Sequence, residues 1–219
     1  MYQCHRALLG ERVWSEICLL APGRAVPAKK VLLEQGKRGV QVLVLTAGSV
    51  AIVREDDRGR RTLLAVRGPG ELLGEQSVLG GGERSANVIA IEPSVLHTVP
   101  AYAFDAFVKA NDLLPLFLRH AFSRVSQGDE IQQELAAAEV PVRLAAALLR
   151  LAAPAGEDVP TPVTVRLNQD ELAQLIGVHR NTVVQNLAPW RNAGWVRSAP
   201  GGGLVLHNLR ALREILAFS

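Results

Sequence analysis

Short hydrophobic runs fill the segment from about residue 24 to residue 100, and turns that contain glycine or charged residues separate them. Strands divided by such turns at this spacing predict an antiparallel barrel or roll. The runs cover residues 31–33, 40–46, 50–54 and 63–66, and the turns after them contain Gly36, Gly48, the charged segment 55–59 and residues 68–70.

From about residue 101 the pattern becomes helical, with apolar or small residues at alternating three- and four-residue steps. This spacing predicts a long helix with a coiled-coil-like seam. Pro115 fits its first turn, and Pro141 should end it, because proline disfavours helical geometry at Val140. The seam consists of Leu114, Leu118, Ala121, Val125, Gly128 and Leu135, with Gln132 at the remaining step.

Gly128 is unusual on this seam, since glycine costs roughly 1 kcal/mol against alanine in a helix interior. It indicates a dimer contact or a position beside a ligand, unless the helix simply tolerates a weak point there. Beyond Pro141 a second amphipathic helix is predicted, followed by a connection over residues 153–162, which hold three prolines and a glycine. One face of that helix carries Leu144, Leu148 and Leu151.

The strongest local pattern lies in residues 167–196 and predicts two short helices with Gly177 in the turn between them. Asn168, followed three residues later by Glu171, is typical of a helix start with a capping box. Such a pair of helices forms a helix-turn-helix, whose second helix enters the major groove of DNA. The predicted buried residues are Leu172, Leu175 and Ile176 in the first helix and Val183, Leu187 and Trp190 in the second.

The opening turns of the second helix then point outward. Arginine bonds bidentately to guanine, and asparagine or glutamine to adenine, each with roughly 1–3 kcal/mol of discrimination. Thr182 suits a phosphate, as does the positive end of the helix. The predicted contacts to double-stranded DNA are Arg180, Asn181, Thr182, Val184 and Gln185, with His179 at the cap position.

Two residues fit this helix less well. His179 is a weaker cap than serine or threonine by about 1 kcal/mol, and Pro189 should bend or shorten the helix. A helix-turn-helix can also serve protein contact alone. Beyond Gly194, apolar residues at 195–196 and 204–206 flank the segment 200–203, which predicts a β-hairpin wing with a flexible tip.

Length, charge and cysteine content limit the class of protein. The 219 residues suffice for two small domains, and the net charge of +3 is too small to indicate a nucleic-acid partner by itself. No apolar run approaches the ~20 residues of a membrane helix, and charged residues interrupt the first fourteen, where a secretory signal would be apolar. Two cysteines are too few for a disulfide scaffold. We therefore expect a cytoplasmic protein with no membrane partner.

The sequence offers few candidate metal ligands or catalytic residues. Cys4-His5 is a poor metal pair near a terminus that we expect to be mobile, and Cys18 is more simply a small core residue. His97, His120 and His207 show no ligand spacing. Neither a Ser/His/Asp arrangement nor a metal-ligand set is visible, so we expect no enzyme and no metal site.

Residues 72–88 carry the other informative pattern, in which Gly74-Glu75 precedes Arg84-Ser85-Ala86. The glycine loop 80–82 can wrap a phosphate with its N–H groups while the arginine neutralises the charge. A carboxylate such as Glu75 suits a ribose hydroxyl. The segment predicts a pocket for an anion beside a sugar; the alternative is a Glu75–Arg84 salt bridge that holds an empty roll together.

This GE…ERSA motif resembles the phosphate-binding cassette of cyclic nucleotide-binding domains. With the strands before it and the winged helix-turn-helix beyond, the chain resembles the cyclic AMP receptor protein and fumarate–nitrate regulator family over roughly residues 20–210. The resemblance implies an α+β fold of a bacterial homodimer: an antiparallel β-roll at 1–110, a dimerisation helix at 111–140, and a winged helix-turn-helix at 141–219. Ligand binding would reorient the DNA-reading domains.

The resemblance also assigns site residues. Gly74 and Glu75 would hold the ribose, and Arg84, Ser85 and Ala86 the cyclic phosphate. The base would meet Gly128-Asp129, where cyclic AMP receptors carry a Thr-Ser pair. Asp129 can accept from the adenine amino group, whereas guanine offers N1–H and N2 together, so cyclic AMP and cyclic GMP are both candidate effectors, and neither is a certain cofactor.

The recognition helix departs from the family as well. The usual arginine–glutamate pair and later arginine are Arg180-Asn181 and Gln185 here, so the operator should differ from that of the best-known member. Three functions stay open: a ligand-gated regulator, a constitutive regulator whose roll is empty or holds another ligand, and a nucleotide-binding adaptor that acts on proteins. RNA polymerase is a further candidate partner.

Overall fold

The chain folds as two compact units, Met1–Ala121 and Phe122–Ser219. The computed structural model describes residues 4–59, 61–124, 138–152, 162–200 and 202–217. The finer division predicted at residues 110 and 140 stays a prediction.

The N-terminal unit is built on two four-stranded antiparallel sheets, with strand orders β1-β8-β3-β6 and β2-β7-β4-β5. Each predicted run contributes a strand, so the antiparallel roll is confirmed. The strands are β1 Gly23–Val26, β2 Val31–Leu33, β3 Gln41–Ala47, β4 Val50–Glu55, β5 Arg61–Arg67, β6 Glu71–Leu73, β7 Asn87–Ala90 and β8 Ser94–Pro100.

Strand β3 separates two hydrophobic cores, because alternate side chains of a strand point to opposite faces. Leu43 and Leu45 face the interior between the two sheets. Val42 and Val44 pack against helices on the outside of the roll. The helices of this unit are α1 His5–Leu19, α2 Glu75–Leu79, α3 Ala101–Ala110 and α4, which begins at residue 114 and is described to residue 124.

Helix α1 was not among the predicted elements. Its apolar residues nevertheless recur at helical spacing and are buried in the outer core. The expectation of a mobile terminus at Cys4-His5 is wrong, because α1 begins at His5 and that side chain is fully buried. The core residues of α1 are Leu9, Val13, Trp14 and Ile17.

The first turn of α4 contains Pro115, as predicted. Two seam residues, Leu114 and Leu118, are exposed on the single chain, and they lie one turn apart on one helix face. The remaining seam positions from Val125 to Leu135 lie outside the described residues, so the predicted extent of the seam is not tested.

The C-terminal unit contains the predicted helix-turn-helix and wing. Its helices are α5 Val140–Ala152, α6 Gln169–Ile176, α7 Arg180–Asn192 and α8 Leu209–Ala217, and its strands are β9 Val163–Val165, β10 Val196–Ser198 and β11 Leu204–Leu206. Strand β11 pairs with both β10 and β9. Pro141 lies in the first turn of α5, after the non-helical residues 138–139, while β9 and α8 were not predicted.

The capping box of α6 forms as predicted. Oδ1 of Asn168 accepts the backbone N–H groups of Asp170 and Glu171, both at 2.9 Å, and the Glu171 carboxylate accepts the Asn168 N–H at 2.7 Å. At the other end, Gly177 closes the helix with φ +67°, a conformation that glycine adopts without strain. Local signals therefore define both ends of α6.

Among the described residues, no helix is long and apolar enough to span a membrane.

We expect Asn168→Ala to lower the free energy of unfolding of the C-terminal unit by about 1 kcal/mol, because two N–H groups lose their cap. Thermal unfolding followed by circular dichroism measures this. Asn192→Ala, at the far end of α7, is the matched control and should change stability by a few tenths of a kcal/mol at most. Equal losses in the two variants would contradict the capping argument.

Candidate functional site

The loop after β6 brings the predicted cassette together. Gly74 has φ +81° and precedes the short helix α2, whose first residue is Glu75. Glu75 is only 7% exposed and Arg84 only 6%, so a carboxylate and a guanidinium are both buried in one region of the roll.

Arg84 is anchored by oxygen atoms of three residues. Its Nη1 donates to the carbonyl of Gly74 at 2.6 Å and to Oγ of Ser77 at 2.7 Å, and its Nη2 donates to the carbonyl of Gln41. Nε and the second hydrogen of Nη2 bond to none of the described residues. Because Nε and Nη2 share one edge of the guanidinium, that edge can bind two phosphate oxygens.

Position 74 requires glycine, because the Arg84 side chain lies too close to its Cα for any larger residue. A Cβ atom at Gly74 would overlap Nη1 of Arg84 and lie 2.8 Å from its Cζ. Its positive φ is also one that other residues adopt only with strain. Position 74 thus permits the bond between its carbonyl and Arg84.

The Glu75 and Arg84 side chains interact through their charges rather than by direct contact. Burial lowers the pKa of Arg84, and the negative charge of Glu75 opposes that shift. The guanidinium stays a cation. Within the described part of the chain the two form no salt bridge, so the predicted alternative of a direct Glu75–Arg84 pair is wrong: Arg84 bonds to the carbonyls of Gly74 and Gln41 instead.

The glycine loop does not form the predicted anion nest. The N–H groups of Gly80, Gly81 and Gly82 donate to carbonyls of Gln76, Val78 and Ser77, at 2.8, 3.4 and 3.1 Å. They cap the end of α2, and Gly81 adopts φ +67° there. Ser85 is exposed and Ala86 is buried.

A buried polar cluster beside Glu75 was missed by sequence reasoning. Nδ1 of His5 lies 2.7 Å from Oε2 of Glu71, and Nε2 of His5 lies 3.8 Å from Oε1 of Glu75. The His120 ring meets the His5 ring edge to face, with a centroid distance of 4.6 Å. No sequence signal links these residues, because the partners of His5 are 66 or more positions away.

The recognition helix presents a polar surface at its N-terminal end. His179 is the cap residue, and its side chain makes no cap bond. Its exposed residues include Arg180, Asn181 and Gln185, whereas Thr182 and Val184 are half-buried. The predicted buried face is confirmed for Val183, Leu187 and Trp190.

Two details of this helix add to the prediction. Nε of Arg180 lies 3.6 Å from Oδ2 of Asp170, and both side chains are more than half exposed, so this ion pair holds the arginine weakly. The helix also continues to Asn192, three residues beyond Pro189. The expected shortening at Pro189 therefore does not occur, and Trp190 remains packed in the core.

The predicted base-contact residues Gly128 and Asp129 lie outside the described residues.

Comparison with known proteins decides the family. A model of the cyclic nucleotide-binding domain matches residues 23–111, and a model of the Crp-like helix-turn-helix domain matches residues 142–215. A cyclic AMP receptor protein of Thermus thermophilus is 32% identical over 200 residues, which cover 89% of this chain and 88% of the relative. The chain belongs to the CRP/FNR family of transcription regulators.

Further relatives agree with this membership. A CRP-like cAMP-activated global transcriptional regulator of Mycobacterium tuberculosis is 29% identical over 191 residues, covering 86% of this chain and 85% of the relative. A solved structure of a CRP/FNR-family transcriptional regulator from Thermus thermophilus matches with TM-score 0.69 and 25% identity, covering 89% and 98% of the two chains. FixK2 of Bradyrhizobium japonicum shares the fold at TM-score 0.72 and 17% identity, covering 89% and 96%.

As a CRP/FNR-family member, the chain is a DNA-binding transcription regulator with a cyclic nucleotide-binding domain, and not an enzyme. These comparisons confirm the predicted family and class of function. The individual site residues are not tested by them.

We expect Gly74→Ala to lower the free energy of unfolding of the N-terminal unit by about 2–4 kcal/mol, because strain at positive φ adds to the displacement of Arg84. Urea unfolding followed by tryptophan fluorescence measures the loss. Gly59→Ala is the matched control: its φ is +73°, but a Cβ there would meet nothing within 4 Å. It should lose only about 1–2 kcal/mol from the backbone strain. If Gly74→Ala loses no more stability than Gly59→Ala, the close approach of Arg84 to residue 74 does not contribute to stability.

Proposed function

We propose that this regulator acts as a homodimer in the bacterial cytoplasm and that a cyclic nucleotide bound in the N-terminal roll controls its affinity for operator DNA. One observation carries the proposal: Arg84 and Glu75 are both largely buried in the same region of the roll, close enough for their charges to interact. No hydrogen bond reaches the Glu75 carboxylate from the described residues. The guanidinium of Arg84 is suited to binding a phosphate, and the carboxylate of Glu75 is suited to accepting a ribose hydroxyl.

The anchoring of Arg84 supports phosphate binding. A guanidinium already fixed by the carbonyls of Gly74 and Gln41 loses little side-chain entropy when an anion arrives. The backbone next to Ser85 and Ala86 would complete the phosphate contacts, while Glu75 accepts from the sugar. Relatives named as cAMP-activated make cyclic AMP the first candidate; cyclic GMP is the second, since a carboxylate such as Asp129 can also accept from N1–H and N2 of guanine.

One observation also favours a constitutive regulator. Arg84 makes three bonds within the roll, and the N–H groups of the glycine loop 80–82 bond to carbonyls of α2. Both sets of bonds stabilise the roll without any ligand. In that case the cassette would be structural, and DNA affinity would not respond to nucleotides. The nucleotide titration below separates the two functions.

The exposed side chains of α4 support the homodimer. Leu114 and Leu118 lie on one face of the helix and are exposed on the single chain. Apolar residues at this spacing are suited to packing against the same helix of a second copy. A dimer would also present two recognition helices to two half-sites of the operator.

We expect calorimetric titration of the full chain with cyclic AMP or cyclic GMP to show micromolar or tighter binding, about −8 kcal/mol or better. Arg84→Ala should weaken binding by about 100-fold or more, because a charged partner of the phosphate is lost. Glu75→Gln keeps the shape of the side chain and should weaken binding by about 10-fold or more.

The matched control is Arg24→Ala, which removes an exposed arginine from β1 of the same roll and should leave binding unchanged. Circular dichroism establishes that each variant is folded. Absence of binding of either nucleotide to a folded wild-type dimer would overturn the ligand-gated function and favour the constitutive regulator.

We expect Asn181→Ala to relax operator preference at one base pair by about 1–3 kcal/mol, if Asn181 bonds to an adenine edge. Selection of binding sites from random DNA, followed by fluorescence anisotropy on single-base variants, measures this. Gln174→Ala removes an exposed amide from α6 and serves as the control. A uniform loss of affinity for every sequence would instead make Asn181 a phosphate contact.

A further inference from the structure

Two acidic side chains of the cassette region converge on one buried histidine. His5 is 0% exposed and begins helix α1, while Glu71 comes from β6 and Glu75 from α2. Nδ1 of His5 lies 2.7 Å from the Glu71 carboxylate. The backbone N–H of Leu72 also lies 3.2 Å from this nitrogen, although a ring nitrogen that donates its proton to Glu71 cannot accept from Leu72 as well. These contacts fix the orientation of the imidazole ring.

The fixed ring directs its other nitrogen at the proposed ribose partner. Nε2 of His5 lies 3.8 Å from Oε1 of Glu75, which is too long for a hydrogen bond but places the edge of the imidazole ring beside the carboxylate in a buried region. The position of the carboxylate and its affinity for a hydroxyl donor therefore depend on His5. Glu71 and His120 also face this ring, so they belong to the same electrostatic environment.

His120 connects this cluster to helix α4. Its ring packs edge to face against His5, and it is 9% exposed. Phe117, one turn earlier on α4, also lies near the His5 ring, at a centroid distance of 6.0 Å. Helix α4 crosses the boundary at Ala121, because its residues 122–124 belong to the C-terminal unit.

We propose that His5 and His120 are positioning residues of the effector site: His5 holds Glu75 for the ribose hydroxyl, and His120 couples the occupied state of Glu75 to helix α4. This inference rests on the proposed function, because it needs a nucleotide at the cassette. Both histidines lie outside the ranges 23–111 and 142–215 that the family models match. The assignment therefore comes from this chain's own contacts.

The physical basis is a change of charge distribution at one carboxylate. A ribose hydroxyl that donates to Glu75 takes up part of its negative charge and so changes the electrostatic interaction of the carboxylate with the edge of the His5 ring. Because Nδ1 of the His5 ring is held by its bond, the change at Glu75 alters the packing of the His5 ring against His120. A ligand thereby alters a contact of α4 without touching α4 at this point.

The test is a double-mutant cycle on the full chain, read by calorimetric titration with cyclic AMP and cyclic GMP. His5→Asn keeps an amide near the position of Nδ1 for Glu71 but removes the atoms that face Glu75. We expect about 10-fold weaker nucleotide binding in His5→Asn. The variant with both His5→Asn and Glu75→Gln should bind no more weakly than Glu75→Gln alone, because His5 acts through Glu75.

His120→Gln separates coupling from binding. It should change nucleotide affinity by less than about 3-fold, yet reduce the nucleotide-induced gain in operator affinity by about 10-fold, within the range of allosteric couplings. His97→Gln is the matched control: this histidine of β8 bonds to the Ala21 carbonyl at 2.8 Å and makes none of the contacts described for His5 and His120, so both readouts should stay at wild-type values.

The outcomes are distinguishable. If wild type binds nucleotide and His5→Asn binds equally well, the inference is overturned while the proposed function stands. Additive losses in the double variant would give His5 a general structural role and would also overturn it. If folded wild type binds neither nucleotide, the proposed function fails first and the inference with it.

Discussion

The buried guanidinium of Arg84 is the constraint on which the N-terminal unit depends. A charged group taken out of water costs several kcal/mol unless polar partners replace its hydration. Here the partners come from three separate parts of the roll: Gly74 before α2, Ser77 within α2, and Gln41 at the start of β3. The need to satisfy one cation therefore fixes the loop, the short helix and the central strand relative to each other.

Helix α1 completes this unit in two ways. Its apolar face fills the outer core beside Val42 and Val44 of β3, while His5 at its start joins Glu71 and Glu75. Packing the apolar face offsets the entropy of ordering the segment. That packing is what brings a histidine close to the cassette, so a feature of the core also determines the electrostatics of the site.

The sequence was informative where the deciding interactions are local. Asn168 and Glu171 form a capping box within four residues, and the strands are separated by turns whose glycines are visible in the chain. The roll and the helix-turn-helix could therefore be predicted. The glycine loop was misread, since glycines that can form an anion nest can also end a helix, and here their N–H groups bond to the last carbonyls of α2.

Long-range partners explain the other omissions. Nothing near His5 in the chain indicates that Glu71 and Glu75 will meet it. Gly10 also interrupts α1, where its φ of +76° and ψ of 160° form a kink in the helix. The bond of Arg84 to the Gln41 carbonyl crosses 43 positions. Such contacts become visible only when the sheets have brought distant segments together, so the composition of the cassette was predictable and its anchoring was not.

Two arginines of the chain illustrate how burial adapts one side chain to two kinds of ligand. Arg84 is 6% exposed and held at three points, so a small anion meets a donor edge that is already oriented. The Arg180 side chain is 55% exposed and has only a 3.6 Å contact with Asp170, which a DNA base or phosphate can replace at little cost. A rigid cation suits a small ligand of fixed shape. A weakly held cation suits a surface that must search many DNA sequences before it binds one, because its side chain can reach a phosphate at non-specific sites and a base edge at the operator.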